Sequence, residues 1–237
     1  MNRIFYMVVR NLFRVPVWFY RIWRMGLPKN THTDEQRYDY LRHVVKTVNR
    51  TGRIKVEVQG VENLPSENGF ILFPNHQGLF DVLALMEACP KPFSIVVKKE
   101  AAKLILVKQV IKALDGFSID RQDIRASMEI ITKMAEHVKM GKNYVIFPEG
   151  TRSREGNKLL TFKGGTFKSA VNAKCPIVPV ALIDCFKPFD EISSRKQTVQ
   201  ICFLKPLYAE DYQKMKTIQI AEMVHDKIQE EINQKIG

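Results

Sequence analysis

The sequence has only four cysteines, Cys89, Cys175, Cys185 and Cys202, with no C-x-x-C pair and no histidine spacing suited to zinc. That excludes a disulfide scaffold, and the four thiols read as small buried side chains of a protein kept in a reducing compartment. No G-x-S-x-G elbow is present, and no cysteine sits in a junction comparable to the Pro74–Asp81 segment, so an enzyme working through its own acylated side chain is not indicated. Internal repeats, low-complexity tracts and long linkers are absent. No acidic residue precedes Asp34, and no apolar run reaches the ~20 residues of a spanning helix. What remains is an ordinary globular composition over 237 residues, 45% hydrophobic and 26% charged, with a net charge of +12. Collagenous and disordered classes are excluded, and one domain with a real core, carrying an appendage, is the expectation.

The charge is unevenly spread. Arg3, Arg10, Arg14, Arg21, Arg24 and Lys29 supply six of the twelve excess charges within the first thirty residues. The arginines recur at gaps of 7, 4, 7 and 3, which return to one face of a helix. The remaining face is broad and apolar, and it holds both tryptophans, Trp18 and Trp23. Uncharged stretches such as Val15–Tyr20 are too short for a signal-peptide core. The pattern predicts a basic amphipathic helix in a membrane interface, with Arg3, Arg10, Arg14 and Arg21 toward lipid phosphates and Trp18 and Trp23 inserted. The alternative is a helix packed on the domain with a solvated arginine stripe. Pro16 is expected to kink or split the helix. A second helix follows, opened by a capping box at Thr33 and Gln36 and stopped at Gly52. Residues 1–52 therefore read as a docking segment and residues 53–237 as the catalytic domain. Removing residues 1–28 is expected to leave the second part folded.

From residue 54, short β-like runs alternate with helical segments. Strands are predicted at Ile54–Gln59, Phe70–Phe73, Phe93–Val97, Tyr144–Phe147, Ile177–Ile183 and Thr198–Phe203. Helices are predicted at Val82–Ala88, Ala101–Leu114, Asp123–Met140, Phe167–Ala173 and Ala209–Lys235. This is an α/β fold, a mixed sheet flanked by helices, in which chemistry sits past the carboxyl ends of strands.

Two such junctions stand out. Pro74–Asp81 places His76 and Asp81 five positions apart, with Gly78 between them for a turn. An imidazole suits proton transfer near neutral pH, and a carboxylate on its second nitrogen fixes the tautomer. Without a protein nucleophile nearby, the substrate must supply one. Phe147–Arg154 carries Glu149, Gly150, Thr151 and Arg152. Its glycine permits close backbone approach, its hydroxyls can donate, and Arg152 offers a planar fork suited to phosphate. Taken singly, each motif has a bland reading as a surface turn. Lys98 and Lys99 could be a solvated strand end, Arg121 a partner of Asp120 or Asp123, and Glu149 a buried partner of Arg152. His32, His43, His137 and His225 read as surface residues.

In sequence order these blocks resemble the glycerolipid acyltransferases. Asn75–Asp81 matches their N-H-x-x-x-x-D block, and Phe147–Arg152 matches F-P-E-G-T-R in full. Lys98-Lys99-Glu100 with Gly116–Arg121 resembles the second block, and Ile177–Ala181 the fourth. Ala101-Ala102 departs from the bulkier apolar residues usual after Glu100. Chain size and the basic N-terminus suit the bacterial 1-acyl-glycerol-3-phosphate acyltransferases in particular.

The resemblance implies that His76 is the general base toward the sn-2 hydroxyl of lysophosphatidate, oriented by Asp81, as that oxygen attacks an acyl thioester and yields phosphatidic acid. It implies that Arg152 binds the acceptor phosphate, with Lys98 and Arg121 as weaker candidates for the same anion or for the donor, while Glu149 and Gly150 shape the acceptor pocket and Thr151 hydrogen-bonds the acceptor. Oxyanion donors are expected among backbone amides near Asn75–Gly78 or 150–152. No bound cofactor or metal is implied; acyl-CoA or acyl-carrier protein is the co-substrate. A phospholipid membrane surface is the expected partner, at the cytoplasmic face of the cell membrane, with the protein peripheral or monotopic. A nucleic-acid partner explains the charge but not the apolar helix face. Other readings are transfer to another lyso-lipid or to glycerol 3-phosphate, and a non-catalytic membrane-surface protein, which would not need His76 and Asp81 at a strand end.

Overall fold

The computed structural model describes residues 3–120 and 122–236. Ten α-helices and seven strands lie among them. In chain order the helices α1 (Arg3–Arg10), α2 (Val15–Met25) and α3 (Asp34–Thr51) precede β1 (Ile54–Gln59), β2 (Ile71–Pro74), α4 (Asp81–Ala88) and β3 (Ser94–Lys98). Then come α5 (Ile105–Ala113), β4 (Phe117–Ile119), α6 (Ile124–Lys139), β5 (Tyr144–Val145) and α7 (Lys168–Ala173). The chain closes with β6 (Ile177–Ile183), α8 (Lys187–Asp190), β7 (Gln197–Phe203), α9 (Ala209–Tyr212) and α10 (Thr217–Ile236).

The strands form one sheet in the order β1-β7-β6-β2-β5-β3-β4. β6, β2, β5, β3 and β4 run parallel, while β7 is antiparallel to β6 and carries β1 parallel to itself. Both faces are covered, which is why β6 reads IVPVALI without a polar residue and is buried throughout. Alternation along it is still visible. Val178, Val180 and Leu182 join one core with side chains from α1 to α5, and Ile177, Ala181 and Ile183 join the other with α6, α7, α9 and α10.

The expected α/β architecture is present, with local differences. Phe117–Ile119 pairs with β3 as a short edge strand that its polar surroundings did not announce. The predicted 101–114 helix is a 3-10 turn, Ala101–Lys103, followed by α5, and the 209–235 helix is interrupted between Tyr212 and Thr217. α8 was not expected. The capping box at Thr33 is formed, its hydroxyl accepting from the Gln36 amide (3.2 Å) and its own amide donating to the Gln36 side chain (3.0 Å). Gly52 ends α3.

The N-terminal region contains three helices rather than two, because the first predicted helix is split. Residues 11–14 form turns, and Pro16 sits in the first turn of α2, where a missing amide hydrogen costs nothing. Arg3 corrects the expected lipid-facing stripe. It is only 3% exposed, and its guanidinium donates to the carbonyls of Gly52 (2.7 Å), Ser193 (2.9 Å) and Arg195 (2.9 Å). Arg10 and Arg21 are exposed and lie over the Tyr6 and Tyr40 rings; Arg14 is exposed and donates to Asn11. Trp18 is half-buried, Trp23 is exposed, and Phe13 is 92% exposed. Met7, Ile22 and Met25 point inward and are buried in the same core as β2, β6 and β7. The three helices thus share their core with the sheet, so residues 3–25 are packed into the domain rather than hung on its surface. No helix among the described residues is long and apolar enough to cross a membrane.

Candidate active site

The sheet order explains why two motifs seventy residues apart meet. β2 lies between β6 and β5, all three parallel, so the loops leaving their carboxyl ends are neighbours. The 75–81 loop is therefore held from both sides. Toward β6, the Asn75 side chain donates to the Leu182 carbonyl (3.0 Å) and accepts from the Leu182 amide (2.7 Å), extending the ladder through a side chain. The Gln77 amide group donates to Asn157 (2.7 Å) and accepts from the Cys185 backbone (2.8 Å). Toward β5, the His76 amide donates to Glu149 Oε1 (2.9 Å), the His76 carbonyl accepts from the Ser153 amide (2.9 Å), and the Phe147 ring stacks on the imidazole at 4.1 Å.

Within the loop, His76 Nδ1 lies 2.7 Å from Asp81 Oδ2. Asp81 is fully buried at the start of α4 and also accepts the amides of Gln77 (2.7 Å) and Gly78 (3.1 Å). Burial pushes its carboxyl up; His76 and those two amides oppose the shift by holding the charged form. With Asp81 as acceptor, the hydrogen-bond pattern assigns the proton to Nδ1 and leaves the lone pair on Nε2. The His76 side chain is 21% exposed, enough to meet a substrate. The turn is tight at Gly78: a Cβ there would stand 3.1 Å from the Phe186 Cα, and one of the two backbones would have to give by a few tenths of an ångström.

Glu149 and Gly150 are placed differently from the expected pocket lining. Both are buried, and the Glu149 carboxylate grips the main chain of the base rather than Arg152. Its Oε2 has no hydrogen-bond partner among the described residues. Burial is the main cause that raises the Glu149 carboxyl, to about 7, with nearby Asp81 adding to it; the His76 and Leu160 amides oppose it, the latter without full hydrogen-bond geometry. Gly150 has φ +74°, which favours glycine. Thr151 is exposed. Arg152 is half-buried and makes no hydrogen bond or ion pair among the described residues, so its fork is free. Lys98 ends β3 on the same sheet edge but is exposed and paired with Glu100 (3.4 Å); Lys99 pairs with Asp120 (3.2 Å). Arg121 lies outside the described residues. His137 is half-buried and bonded to the Tyr144 hydroxyl (2.7 Å), not a plain surface residue.

The supports that sequence reasoning missed are Gln77, Asn157 and Phe147. The first two are polar and sit beside glycines, which looks like any loop; only the ladder partners of β6 reveal them. Among the described residues no group of three or more His, Cys, Asp or Glu side chains is arranged to hold a metal. All four cysteines are buried and free. Burial pushes the thiols of Cys89 and Cys202 up to about 11 and of Cys175 to about 12, with Cys185 well above the usual thiol range.

The Glu149 arrangement gives a pH-dependent prediction. Its carboxyl titrates near 7 when folded and near ~4.3 when unfolded, so the unfolded chain releases its proton first. Stability from this group is therefore undiminished below the unfolded value and is lost as pH rises toward about 7. Glu149→Gln keeps the oxygen that accepts from His76, so it should flatten that slope in thermal unfolding across pH while retaining most turnover. Glu149→Ala leaves the His76 amide without its acceptor, at about 1–3 kcal/mol, and should lower turnover clearly. A Gln variant as inactive as the Ala variant would show that the charge itself is required.

Comparison with known proteins agrees with this geometry. The family model described as Acyltransferase matches residues 55–183, more than half of the chain. A 1-acyl-sn-glycerol-3-phosphate acyltransferase of Saccharomyces cerevisiae is 32% identical over 181 residues, covering 74% of this chain and 59% of that protein. A protein of the same name from Borreliella burgdorferi is 32% identical over 129 residues, covering 54% and 51%. The chain spans about half the length of the curated relatives it matches. The crystal structure of the 1-acyl-sn-glycerophosphate (LPA) acyltransferase PlsC from Thermotoga maritima shares the fold, with a TM-score of 0.71 at 22% identity over 96% of this chain and 97% of that one. With both signature blocks inside the matched segment and folded against each other, the chain belongs to the acyltransferase family.

Proposed function

We propose that the protein transfers an acyl chain from a thioester, acyl-CoA or acyl-carrier protein, to the sn-2 hydroxyl of 1-acyl-glycerol 3-phosphate, forming phosphatidic acid. The observation that carries this reading is the His76–Asp81 pair at a strand end, with every protein thiol buried and held protonated. The names of the relatives support the same acceptor. His76 Nε2 takes the proton of the acceptor hydroxyl as its oxygen bonds to the thioester carbonyl carbon. Asp81 stabilises the imidazolium and holds the ring in place. The tetrahedral intermediate then collapses, the C–S bond breaks, and the proton passes from His76 to the leaving thiolate. No acyl-enzyme forms.

The developing oxyanion needs donors. The amides of His76, Gln77, Gly78 and Gly150 already have acceptors, which leaves those of Thr151 and Arg152 open among the described residues. The free Arg152 fork binds the acceptor phosphate. The reaction runs at a membrane surface, with the protein peripheral or monotopic at the cytoplasmic face. The exposed Phe5, Phe13, Phe19 and Trp23, beside the exposed Arg10, Arg14 and Arg21, support that placement.

The test is release of free thiol by detergent-purified protein given lysophosphatidate and each donor. The buried native cysteines leave little background for a thiol dye. Arg152→Ala should mainly raise KM for lysophosphatidate, with partial rescue by lysine, which lacks the fork. An unchanged preference for phosphorylated acceptors would place phosphate recognition elsewhere, and no thiol release with either donor would overturn the function.

A further inference from the structure

The segment that follows β3 carries exposed apolar side chains that neither the fold nor the catalytic site uses. After Lys98 the chain makes the 3-10 turn at Ala101–Lys103 and enters α5 through Leu104, Ile105 and Leu106, which are 62%, 71% and 56% exposed. Three consecutive large apolar residues in water are costly for a domain that only needs to fold, because α5 already buries Ile111 and Ala113 at its other end. Their surroundings are strongly basic. Lys98, Lys99, Lys103, Lys108 and Lys112 are all exposed; Lys98 pairs with Glu100 and Lys99 with Asp120, while the other three have no ion-pair partner among the described residues.

Topology places this patch where it matters. β3 runs parallel to β5 and β2, so its carboxyl end lies on the edge that carries His76 and Arg152. α5 also packs against α2, so closely that a Cβ on Gly26 would stand 2.8 Å from the Lys112 Cβ. The outer residues of α2, Val17, Phe19, Tyr20 and Trp23, are themselves exposed.

We propose that Leu104, Ile105 and Leu106 form a second point of insertion into an anionic bilayer, with the flanking lysines on lipid headgroups. The inference rests on the membrane-surface reading given above and adds to it. One amphipathic segment fixes a protein to a surface but leaves it free to rock. A second point, set at the carboxyl edge of the sheet, fixes which edge faces lipid. The edge so chosen is the one where His76 must meet an acceptor whose acyl chain stays in the bilayer. Apolar burial supplies the insertion, and the excess of lysines over acid supplies the complementarity to anionic headgroups.

The test uses full-length Ile105→Cys labelled with an environment-sensitive fluorophore, which the buried native thiols will not compete for. Phe13→Cys and Met140→Cys carry the same label as references, Met140 being exposed just before β5 at the opposite sheet edge. Each is mixed with phosphatidylglycerol–phosphatidylethanolamine vesicles containing nitroxide-labelled lipid. The expected result is a blue shift and quenching at positions 105 and 13 and neither at 140. In addition, Leu104→Ser with Ile105→Ser should lower vesicle affinity about tenfold while leaving turnover of a short-chain, monomeric acceptor near wild type.

Quenching at 13 without quenching at 105 overturns this inference and leaves the membrane reading standing. Absence of quenching at both, with thiol release intact, removes the membrane reading as well. A label at 105 that shifts without lipid, together with dimer formation or on adding an acidic carrier protein, shows that the patch is covered by protein and also overturns the proposal.

Discussion

Replacing His76 by alanine is expected to lower acyl transfer by at least ~10²–10⁴-fold while the protein keeps its fold. The imidazole places a free lone pair next to a buried carboxylate, and general-base catalysis accounts for a factor of that size. Loss of the ring also leaves Phe147 without its stacking partner at 4.1 Å, but it removes no main-chain bond of the loop. Asp81→Asn should be comparably damaging for another reason. Asparagine carries no charge to stabilise the imidazolium, and its NH2 group would face either the Gly78 amide, in place of Oδ1, or the His76 ring and Gln77 amide, in place of Oδ2. Thiol-release rates and the circular dichroism spectrum of each variant decide the matter together. Turnover near wild type in either one, with the spectrum unchanged, sinks the mechanism.

Deletion of residues 1–28 is the second large effect. The truncated chain is expected to lose its cooperative thermal transition, not merely its affinity for lipid. Met7, Ile22 and Met25 are between 3% and 7% exposed. Burying such a side chain contributes about 1.5–3 kcal/mol, so three account for roughly 5–9 kcal/mol against a total stability of about 5–15. Arg3 adds three hydrogen bonds to carbonyls of Gly52, Ser193 and Arg195. A melting curve with the midpoint of the intact protein would show that these contacts are dispensable. Point substitutions at exposed positions such as Phe13 are accordingly the cleaner probe of membrane contact.

Much of this was legible in the sequence, for reasons that also explain what was not. β1 and β6 are legible to the residue for different reasons: β6 is a continuous apolar run because it is buried on both faces, while β1, IKVEVQ, alternates apolar and polar residues with the period of a strand. His76 and Asp81 were legible since their chemistry depends on residue type and short spacing. The partner of Glu149 is not legible: it is a backbone amide seventy-three positions away rather than Arg152, and main-chain donors leave no mark in a sequence. Arg3 was misread because a helical period tells which residues share a face but not which of them reaches a neighbouring carbonyl. Phe117–Ile119 escaped because a three-residue edge strand is shorter than the window in which a period of two can be recognised.

The arrangement of the first strand bears on how the chain reaches its fold. β1 pairs only with β7 among the described strands, from Ile54 opposite Gln197 to Gln59 opposite Cys202. Arg3 closes on the carbonyls of Ser193 and Arg195, just before the same late segment. During synthesis β1 therefore emerges before its ladder partner, and Arg3 before two of its three carbonyl acceptors, although Gly52 and α3 are already at hand. Contacts of such long sequence separation make folding slow. A nascent chain in that state holds β1 as a strand without its ladder until β7 is complete.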